Sequence, residues 1–296
     1  MIPRTLFSSD HETFRDTVRK FLENEAVPHH EEWEQTGQVP KELWRKAGEQ
    51  GFLCPMVSEE YGGIGADFLY SVVVSEEISR AGLTGIGWGL HTEIVAPYIE
   101  HYGSEEMKQR LLPKMVSGEL IGAIALSEPG AGSDLQGVKT NAVKDGDHYI
   151  LNGSKTFITN GQNADIVIVV AKTDPSKGAK GTSLLIVEEG MEGFQKGKNL
   201  KKVGMKAQDT SELFFQDVKV PVENLIGDEG MGFIYLMQEL PQERLGIAIN
   251  GLAMAESAFE HTLEYVKERK AFGQRVADFQ NTQFKLAEMR TKLDVA

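Results

Sequence analysis

The sequence predicts an α+β fold in which an antiparallel β-barrel or β-sandwich lies between two helical bundles. Apolar residues recur at helical spacing to about position 120, short β-rich runs follow, and helical spacing returns beyond position 227. Because no helical pattern interrupts the β-rich runs, their strands are expected to pair in antiparallel fashion. The predicted domains are an N-terminal helical domain over residues 1–120, a β domain over 121–228 and the start of an incomplete C-terminal helical bundle over 229–296.

The N-terminal domain is predicted to be entirely helical. Its first helix has apolar residues at helical spacing, namely Phe14, Val18, Phe21 and Leu22. A second helix follows Pro40, a residue suited to the first turn. Further helices are predicted over 68–80, 86–102 and 105–116, the last with Ser104 as its N-cap.

The β domain is predicted from seven short β-rich runs. They cover 121–127, 139–143, 148–151, 155–159, 166–172, 182–187 and 212–218. Turn residues separate them at hairpin spacing, including Asp145-Gly146-Asp147, Asn152-Gly153-Ser154 and Asn160-Gly161.

The C-terminal region is predicted to begin with a long amphipathic helix. One apolar stripe, interrupted by Glu256, is formed by Leu245, Ile249, Leu252, Phe259, Leu263 and Val266. A last helix starts near Asp278 and is still periodic at Ala296, without a Gly or Pro stop. This pattern predicts a truncated chain.

Composition excludes several classes of protein. The 296 residues include 31 Lys and Arg against 44 Asp and Glu, which gives a net charge of −13 and argues against nucleic-acid binding. Cys54 is the single cysteine, so an internal disulfide and a cysteine metal cage are excluded. No signal-peptide or membrane-spanning run is found, so we expect a cytoplasmic protein, or a mitochondrial-matrix protein if the chain is a processed eukaryotic form.

The most informative stretch is IGAIALSEPGAGSDLQGVKT over residues 121–140, followed by NGSKTFITNG over 152–161. A Rossmann dinucleotide site requires a helix directly after its glycines, within a parallel βαβ unit. Strands are predicted on both sides of Gly130-Ala131-Gly132, so a Rossmann site is rejected. From the residues alone, the plain interpretation is a flexible Gly-rich turn between two strands.

Three motifs, in the same order, closely resemble those of the acyl-CoA dehydrogenase flavoproteins. They are EPGAGSD from position 128, FITNG from position 157 and RKAFG from position 269. The succession of helices, β domain and helices is also that family's order. The resemblance covers essentially the whole chain, and it implies FAD as the cofactor and an acyl-CoA as the substrate.

The resemblance also implies ligand contacts at the matching positions. Leu126 and Ser127 would meet the pyrimidine edge of the flavin, and Thr159 would hydrogen-bond near its reactive N5. Phe157 stands where many relatives have Trp, which keeps an aromatic wall without the indole donor. Ser133 matches the residue that meets the acyl-CoA.

Two further positions imply an oligomer. By the same resemblance, Arg269 and Gln280 would bind the FAD of a neighbouring subunit. The implied assembly is a homo-oligomer, expected to be a tetramer. The alternative for Arg269 is a solvated side chain near a helix end.

The reaction implied by the resemblance is α,β-dehydrogenation of an acyl-CoA to a trans-2-enoyl-CoA in fatty-acid β-oxidation. The α-proton beside a thioester is a weak acid, so a carboxylate of raised pKa is needed as the base. The run Pro241-Gln242-Glu243-Arg244 resembles the long-chain branch of the family, whose base lies early in this helix. Glu243 is therefore predicted as the base, with Gln242 and Arg244 as substrate-binding neighbours. The alternative for Glu243 is a first-turn carboxylate favoured by the helix dipole after Pro241.

The same resemblance predicts medium-to-long straight acyl chains, with an isovaleryl-type branched substrate as the nearest alternative. Ile234 replaces a Tyr that relatives with PQER can have near the acyl group, which leaves chain length open. An electron-transferring flavoprotein is the expected electron acceptor, and an oxidase that passes electrons to oxygen is the alternative. An inactive fragment or partner subunit of the same fold is the non-enzymatic alternative.

Other polar clusters favour structural roles. His29-His30-Glu31-Glu32 resembles a metal cluster only superficially, since adjacent helical residues face different directions, and no metal site is predicted. His91 lies in an apolar helix and is interpreted as a packed histidine, with proximity to the flavin or substrate pocket as the alternative. Trp33, Trp44 and Trp88 are predicted core residues.

Overall fold

Short polar side chains begin three of the N-terminal helices, as local sequence signals predict. Ser8 forms a capping box with His11, and Asp67 accepts a hydrogen bond from the Leu69 amide. The predicted N-cap Ser104 is confirmed, since its hydroxyl accepts from the Met107 amide at 3.2 Å. Each bond satisfies a donor that the first helical turn leaves without an intrahelical partner.

The computed structural model describes residues 4–296, and this part of the chain contains eight α-helices. They are α1 (Ser9–Glu25), α2 (His30–Thr36), α3 (Lys41–Glu49), α4 (Phe68–Arg80), α5 (Ala96–Tyr102), α6 (Glu105–Val116), α7 (Gly232–Glu268) and α8 (Gln280–Val295). A π-helical segment, Leu90–Val95, leads directly into α5. No signal segment was found in the first ten residues of the sequence. The first three of these residues lie outside the described range.

Between the helical regions lies an eight-stranded sheet, counted over the described residues. Its strands are β1 (Gly122–Ala125), β2 (Asn141–Asp145), β3 (His148–Thr159), β4 (Ile166–Lys172), β5 (Thr182–Glu188), β6 (Phe194–Asn199), β7 (Thr210–Pro221) and β8 (Leu225–Ile226). The spatial order is β6-β7-β3-β2-β4-β5-β8, and β1 pairs with β4. A small hairpin comes after α7, formed by β9 (Lys270–Ala271) and β10 (Gln274–Arg275).

The antiparallel prediction is confirmed for most strand pairs, but β1 departs from it. β1 runs parallel to β4, with Ala123 opposite Val167, and β2 touches β4 in parallel at a single position. The chain reaches β4 only after the β2–β3 hairpin, and this long connection allows a parallel pair.

The two strands predicted over 148–151 and 155–159 are one strand, β3. The Asn152-Gly153-Ser154 sequence is a bulge where the register with β7 shifts, so the predicted turn there is wrong. Gly153 has φ 154°, and a Cβ at this position would lie 2.4 Å from the Thr140 hydroxyl. A glycine in a strand therefore marks a close backbone approach here.

Within residues 4–296, three apolar clusters form the core. One fills the N-terminal helices, and all three tryptophans, Trp33, Trp44 and Trp88, are buried in it, as predicted. A second lies on one face of the sheet. The third joins the opposite face of the sheet to α5, α6 and the start of α7, through residues such as Tyr98, Ile168 and Leu236. The first turns of α7 are therefore fixed against both neighbouring layers.

The predicted apolar stripe of α7 is only partly covered. Val266 is buried and Leu252 is half-buried, but Leu245 is 52% exposed. Glu256, which interrupts the stripe, pairs with Arg290 of α8 at 3.5 Å. No helix within residues 4–296 has the length and apolarity needed to cross a bilayer.

His91 is confirmed as a packed histidine. Its Nε2–H donates to the Met115 carbonyl at 3.0 Å, and its Nδ1 accepts from the Gly122 amide at 3.0 Å. The ring thereby joins α6 to β1. Burial lowers the pKa of His91 to about 4, so the ring is neutral in the folded protein at neutral pH.

Acidification is predicted to destabilise the protein through His91. The unfolded state protonates this ring below its usual pKa of 6.5, but the folded state does so only near 4. The free energy of unfolding should therefore fall by about 3 kcal/mol between these pH values. Urea unfolding from pH 7 to pH 4 measures this slope, which should be shallower in His91→Gln. The exposed His29→Gln control should keep the wild-type slope, and equal slopes in all three proteins would contradict the assignment.

Candidate active site

Glu243 lies in the interior of α7, so the alternative of a first-turn carboxylate is wrong. The helix begins at Gly232 and continues through Pro241. The Tyr98 hydroxyl donates a hydrogen bond to Glu243 Oε1 at 2.8 Å. Burial raises the pKa of Glu243, the Tyr98 bond opposes that shift, and the nearby charge of Glu239 adds to it. The result is a half-buried carboxyl that binds a proton more readily than an exposed one.

A second tyrosine–glutamate pair lies beside the first. Tyr102 donates to Glu239 Oε1 at 2.7 Å, and His101 donates to the same oxygen from Nδ1 at 2.9 Å. The two tyrosines are four residues apart on α5, and the two glutamates are four residues apart on α7. Because such residues share one helix face, the two helices meet through matched pairs of side chains, which we call the Tyr–Glu ladder.

The two predicted substrate neighbours of Glu243 lie in different surroundings. Gln242 donates its side-chain amide to the Glu93 carbonyl at 3.0 Å, so this amide is tied to the π-helical segment. Arg244 is exposed, and its side chain has no hydrogen bond or ion pair among the described residues.

The sequence interpretation missed Glu93, which lies within the π-helical segment. Its half-buried carboxyl has no hydrogen-bond partner among residues 4–296. Burial raises the pKa of Glu93 to about 7. A Cβ on Gly246 would lie 2.8 Å from Glu93 Oε2. The Glu93 carboxyl therefore has room at this position because residue 246 has no side chain. The available signal in the sequence was one acidic residue, Glu93, within the largely apolar run from Trp88 to Ile99.

A cavity of about 260 Å³ lies farther along α7. Its lining includes Ile78, Leu83, Ile86, Asn250 and Met254. Glu243, Gly246, Asn250 and Met254 recur at helical spacing, so one face of α7 leads from the carboxyl to the cavity. The eleven residue steps from Glu243 to Met254 span about 16 Å at the rise of an α-helix.

On the sheet, the predicted flavin-edge residues lie side by side. The Thr156 amide donates to the Ser127 carbonyl at 3.0 Å, which joins the segment after β1 to β3. Phe157 has φ 59° and is 70% exposed, so its ring stands out from the strand. This left-handed backbone is uncommon for an aromatic residue and typical of a functional constraint.

Several hydroxyls near this edge have no partner among the described residues. Ser127 and Thr159 are half-buried and Ser133 is exposed, and none of the three side chains forms a hydrogen bond within residues 4–296. An exposed aromatic ring beside free hydroxyls suits a planar ligand with polar atoms at its edge.

Lys155 fixes this edge from beneath and was not identified from the sequence. Its ammonium donates to the Leu126 carbonyl and pairs with Glu128 Oε1, both at 3.0 Å. Burial lowers the pKa of Lys155 to about 8, and the Glu128 charge opposes the shift. Glu128 also accepts from the amides of Lys139 and Thr140. One buried ion pair therefore holds both ends of the Gly-rich loop between β1 and β2.

Arg269 and Gln280 lie far from this region of the chain. Arg269 is exposed at the end of α7, and Gln280 is the exposed first residue of α8. The 26 residue steps from Glu243 to Arg269 correspond to about 39 Å of helix. Arg269 therefore lies beyond the far end of α7 from Glu243, and Gln280 begins the helix that follows it. No cluster of metal-ligating side chains occurs among the described residues.

Family models match almost the whole chain. The N-terminal domain of acyl-CoA dehydrogenase matches residues 8–119, its middle domain 123–218 and its C-terminal domain 230–296. The long-chain specific acyl-CoA dehydrogenase of Sus scrofa is 55% identical over 99% of this chain and 68% of that protein. The isovaleryl-CoA dehydrogenase of Pongo abelii is 42% identical over 97% of this chain and 69% of that protein.

Solved structures share the fold. An acyl-CoA dehydrogenase from Geobacillus kaustophilus has a TM-score of 0.97 and 56% identity, with 99% of this chain and 78% of that chain covered. An acyl-CoA dehydrogenase from Bacillus anthracis complexed with FAD has a TM-score of 0.91 and 38% identity, with 97% and 50% covered.

Replacing Lys155 is predicted to cost far more stability than replacing an exposed neighbour. Lys155→Met removes one partner of a buried ion pair and leaves the Glu128 charge without its ammonium. The free energy of unfolding should fall by about 3–5 kcal/mol. Lys139→Met is the matched control, because that side chain is exposed, and it should change stability by less than about 0.5 kcal/mol. Urea denaturation compares the two, and equal losses would refute the structural role of the pair.

Proposed function

Because this chain belongs to the acyl-CoA dehydrogenase family of flavin-dependent oxidoreductases, we propose that it oxidises an acyl-CoA to a trans-2-enoyl-CoA with Glu243 as the base. The observation that supports this assignment most directly is the half-buried hydrogen bond from Tyr98 to Glu243 on α7. A carboxyl held in one orientation, with a pKa raised by burial, suits removal of a weakly acidic α-proton.

The residues of the sheet edge fit FAD, the cofactor found in the related Bacillus anthracis structure. Leu126 and Ser127 would hold the pyrimidine edge, Thr159 would bond near N5, and Phe157 would stack beside the ring. Ser133 would meet the acyl-CoA. FAD supplies the acceptor for the β-hydride. The chain's own contribution is to align these groups on strands that Lys155 and Glu128 hold in place.

In the proposed reaction, Glu243 itself removes the α-proton. The carboxylate takes the α-proton while the electron pair of that C–H bond forms the α,β double bond. An acyl group lying over Glu243 excludes water and raises its proton affinity further. Tyr98 prevents the carboxylate from rotating away, and so preserves the short approach that proton transfer requires.

The acyl group is proposed to be a medium-to-long straight chain. The face of α7 from Glu243 past Gly246 to the 260 Å³ cavity supports a chain that extends beyond the reacting carbons. The 55% identity to a long-chain specific relative supports the same choice. The isovaleryl alternative is supported by the 42% identity to an isovaleryl-CoA dehydrogenase.

The partners follow from the family. An electron-transferring flavoprotein is the proposed acceptor of the electrons. A tetramer is the proposed assembly, in which Arg269 and Gln280 would reach the FAD of a neighbouring subunit. Their position, remote from Glu243 within one chain, supports this arrangement. Fatty-acid β-oxidation in the cytoplasm, or in a mitochondrial matrix, is the proposed setting.

The reaction is tested by anaerobic titration of the purified flavoprotein with acyl-CoAs from butyryl to palmitoyl and with isovaleryl-CoA. We expect loss of oxidised-flavin absorbance that is strongest with a straight chain of medium-to-long length. Strongest bleaching by isovaleryl-CoA would transfer the assignment to the branched alternative. Bound flavin that no acyl-CoA bleaches would refute the proposed reaction.

Glu243→Gln is predicted to retain bound FAD and to slow flavin reduction by about 10²–10⁴-fold, because the amide cannot accept the α-proton. Stopped-flow absorbance measures the rate at saturating substrate. Glu264→Gln, an exposed change on the same helix, is the matched control and should reduce at the wild-type rate. Near-normal reduction in Glu243→Gln would exclude this residue as the base.

Gly246→Val is predicted to shorten the acceptable acyl chain. A Cβ here lies 2.8 Å from Glu93 Oε2, so the Val side chain must displace that carboxyl along this face of α7, and kcat/KM for palmitoyl-CoA should fall at least about tenfold more than for butyryl-CoA. Gly251→Val is the matched control, since a Cβ at Gly251 meets nothing within 4 Å. A similar loss for both substrates would show that Gly246 does not lie along the acyl path.

A further inference from the structure

Glu239 is a buried acid that the proposed reaction does not use. It is 7% exposed and lies one helical turn before Glu243. Burial alone would raise its pKa, but the hydrogen bonds from His101 and Tyr102 outweigh burial and hold the pKa of Glu239 below its usual value. Keeping a second negative charge beside a half-buried carboxyl is costly unless the charge is compensated. The structure supplies that compensation from α5.

We propose that Glu239 is a positioning residue that sets the proton affinity of Glu243, with His101 tuning its effect. The proposal rests on the proposed function, because it takes Glu243 as the base. Glu239 acts through space and does not touch the substrate. His101 contacts Glu239 and has no hydrogen bond to Glu243, so its influence on the base passes through Glu239.

The geometry gives the ladder two unequal ends. At the Glu243 end, Tyr98 is buried, and its hydroxyl is a neutral donor. At the Glu239 end, the His101 side chain is 51% exposed and exchanges protons with water. The bond to Glu239 raises the pKa of His101, so the ring stays cationic to higher pH than a free imidazole. A charge at the exposed end of the ladder therefore acts on Glu239, and through Glu239 on Glu243 at the other end.

The charged groups around the ladder come from three helices and from the π-helical segment, whose Glu93 carboxyl lies over Gly246, three residues after Glu243. From α5 there are Glu100 and His101, from α6 there is Lys108, and from α7 there are Glu239, Glu243 and Arg244. Tyr98 and Tyr102 are the neutral side chains that contact the two carboxyls, and Gln238 accepts a hydrogen bond from the Tyr102 hydroxyl. Glu239 lies four residues before the base, so the two are neighbours on the helix surface, and its charge affects Glu243 more strongly than that of Arg244 does.

The sign of each effect is set by charge. The anionic Glu239 disfavours a second anion, so removing its charge lowers the pKa of Glu243. The cationic His101 compensates Glu239, so removing that charge raises the pKa of Glu243. If His101 acts only through Glu239, its replacement has no effect once Glu239 is neutral.

The test is the pH dependence of flavin reduction by a saturating straight-chain acyl-CoA, measured by stopped flow in the holoenzyme. Four variants are compared: Glu239→Gln, His101→Gln, the double variant and the exposed control Glu264→Gln. Gln keeps a hydrogen-bonding side chain at each position. Thermal unfolding of each variant, with its flavin absorbance, shows whether the protein remains folded and loaded.

The acid limb is the part of the pH–rate profile in which the rate of flavin reduction rises with pH. We expect it to move to lower pH by about 0.5–1 unit in Glu239→Gln and to higher pH in His101→Gln. The double variant should match Glu239→Gln, and the control should match the wild type. If the ladder only packs α5 against α7, the substitutions would change stability and rate, but the acid limbs of Glu239→Gln and His101→Gln would not move in opposite directions.

The failure of this inference differs from the failure of the proposed function. If Glu243→Gln is inactive but the limbs of Glu239→Gln and His101→Gln coincide with the wild type, the role of Glu239 is overturned and the base assignment stands. If Glu243→Gln reduces its flavin normally, both assignments fall. Limbs that move in the same direction in both variants also overturn the inference.

Discussion

The site depends on one constraint: the first turns of α7 pack into the apolar core that the sheet shares with α5 and α6. Tyr235 and Leu236 are anchored there, and the rest of this 37-residue helix extends beyond that core. The Tyr–Glu ladder lies where the anchored part ends. The base is therefore held on a helix next to its anchored turns, since rigid elements position catalytic groups more accurately than loops do.

Four buried or half-buried acids show how surroundings decide charge. Glu128 and Glu239 each accept several hydrogen bonds from amides, hydroxyls or cationic side chains, and the pKa of each lies below its usual value. Glu93 has no partner among the described residues and Glu243 has one neutral donor, and the pKa of each is raised. The first pair serves as fixed charge, and the second pair binds protons more readily than exposed carboxyls do. Sequence position alone does not distinguish the two groups.

The helices, the three-part order and the core tryptophans were predictable because their signals are local. Ser104 caps its helix through a residue three positions later, which any window of sequence contains. Gly153 was misinterpreted because a glycine in a bulge and a glycine in a turn have the same local pattern. β6 was missed because its sequence, Phe194–Asn199, is polar and half-exposed. Its place is set by pairing with β7.

The site was only partly predictable. Glu243 was identified through motif resemblance, and its partner Tyr98 lies 145 residues away in sequence. Lys155 and Glu128 are 27 residues apart, and only the folded sheet brings them together.

The π-helical segment Leu90–Val95 limits the insertions and deletions that the chain can accept. A one-residue deletion there would restore α-helical winding and rotate α5 by about 100° relative to the turn that precedes the segment. Glu93 and Tyr98 could then no longer both face α7, so this segment should resist insertions and deletions that surface loops of the same protein accept.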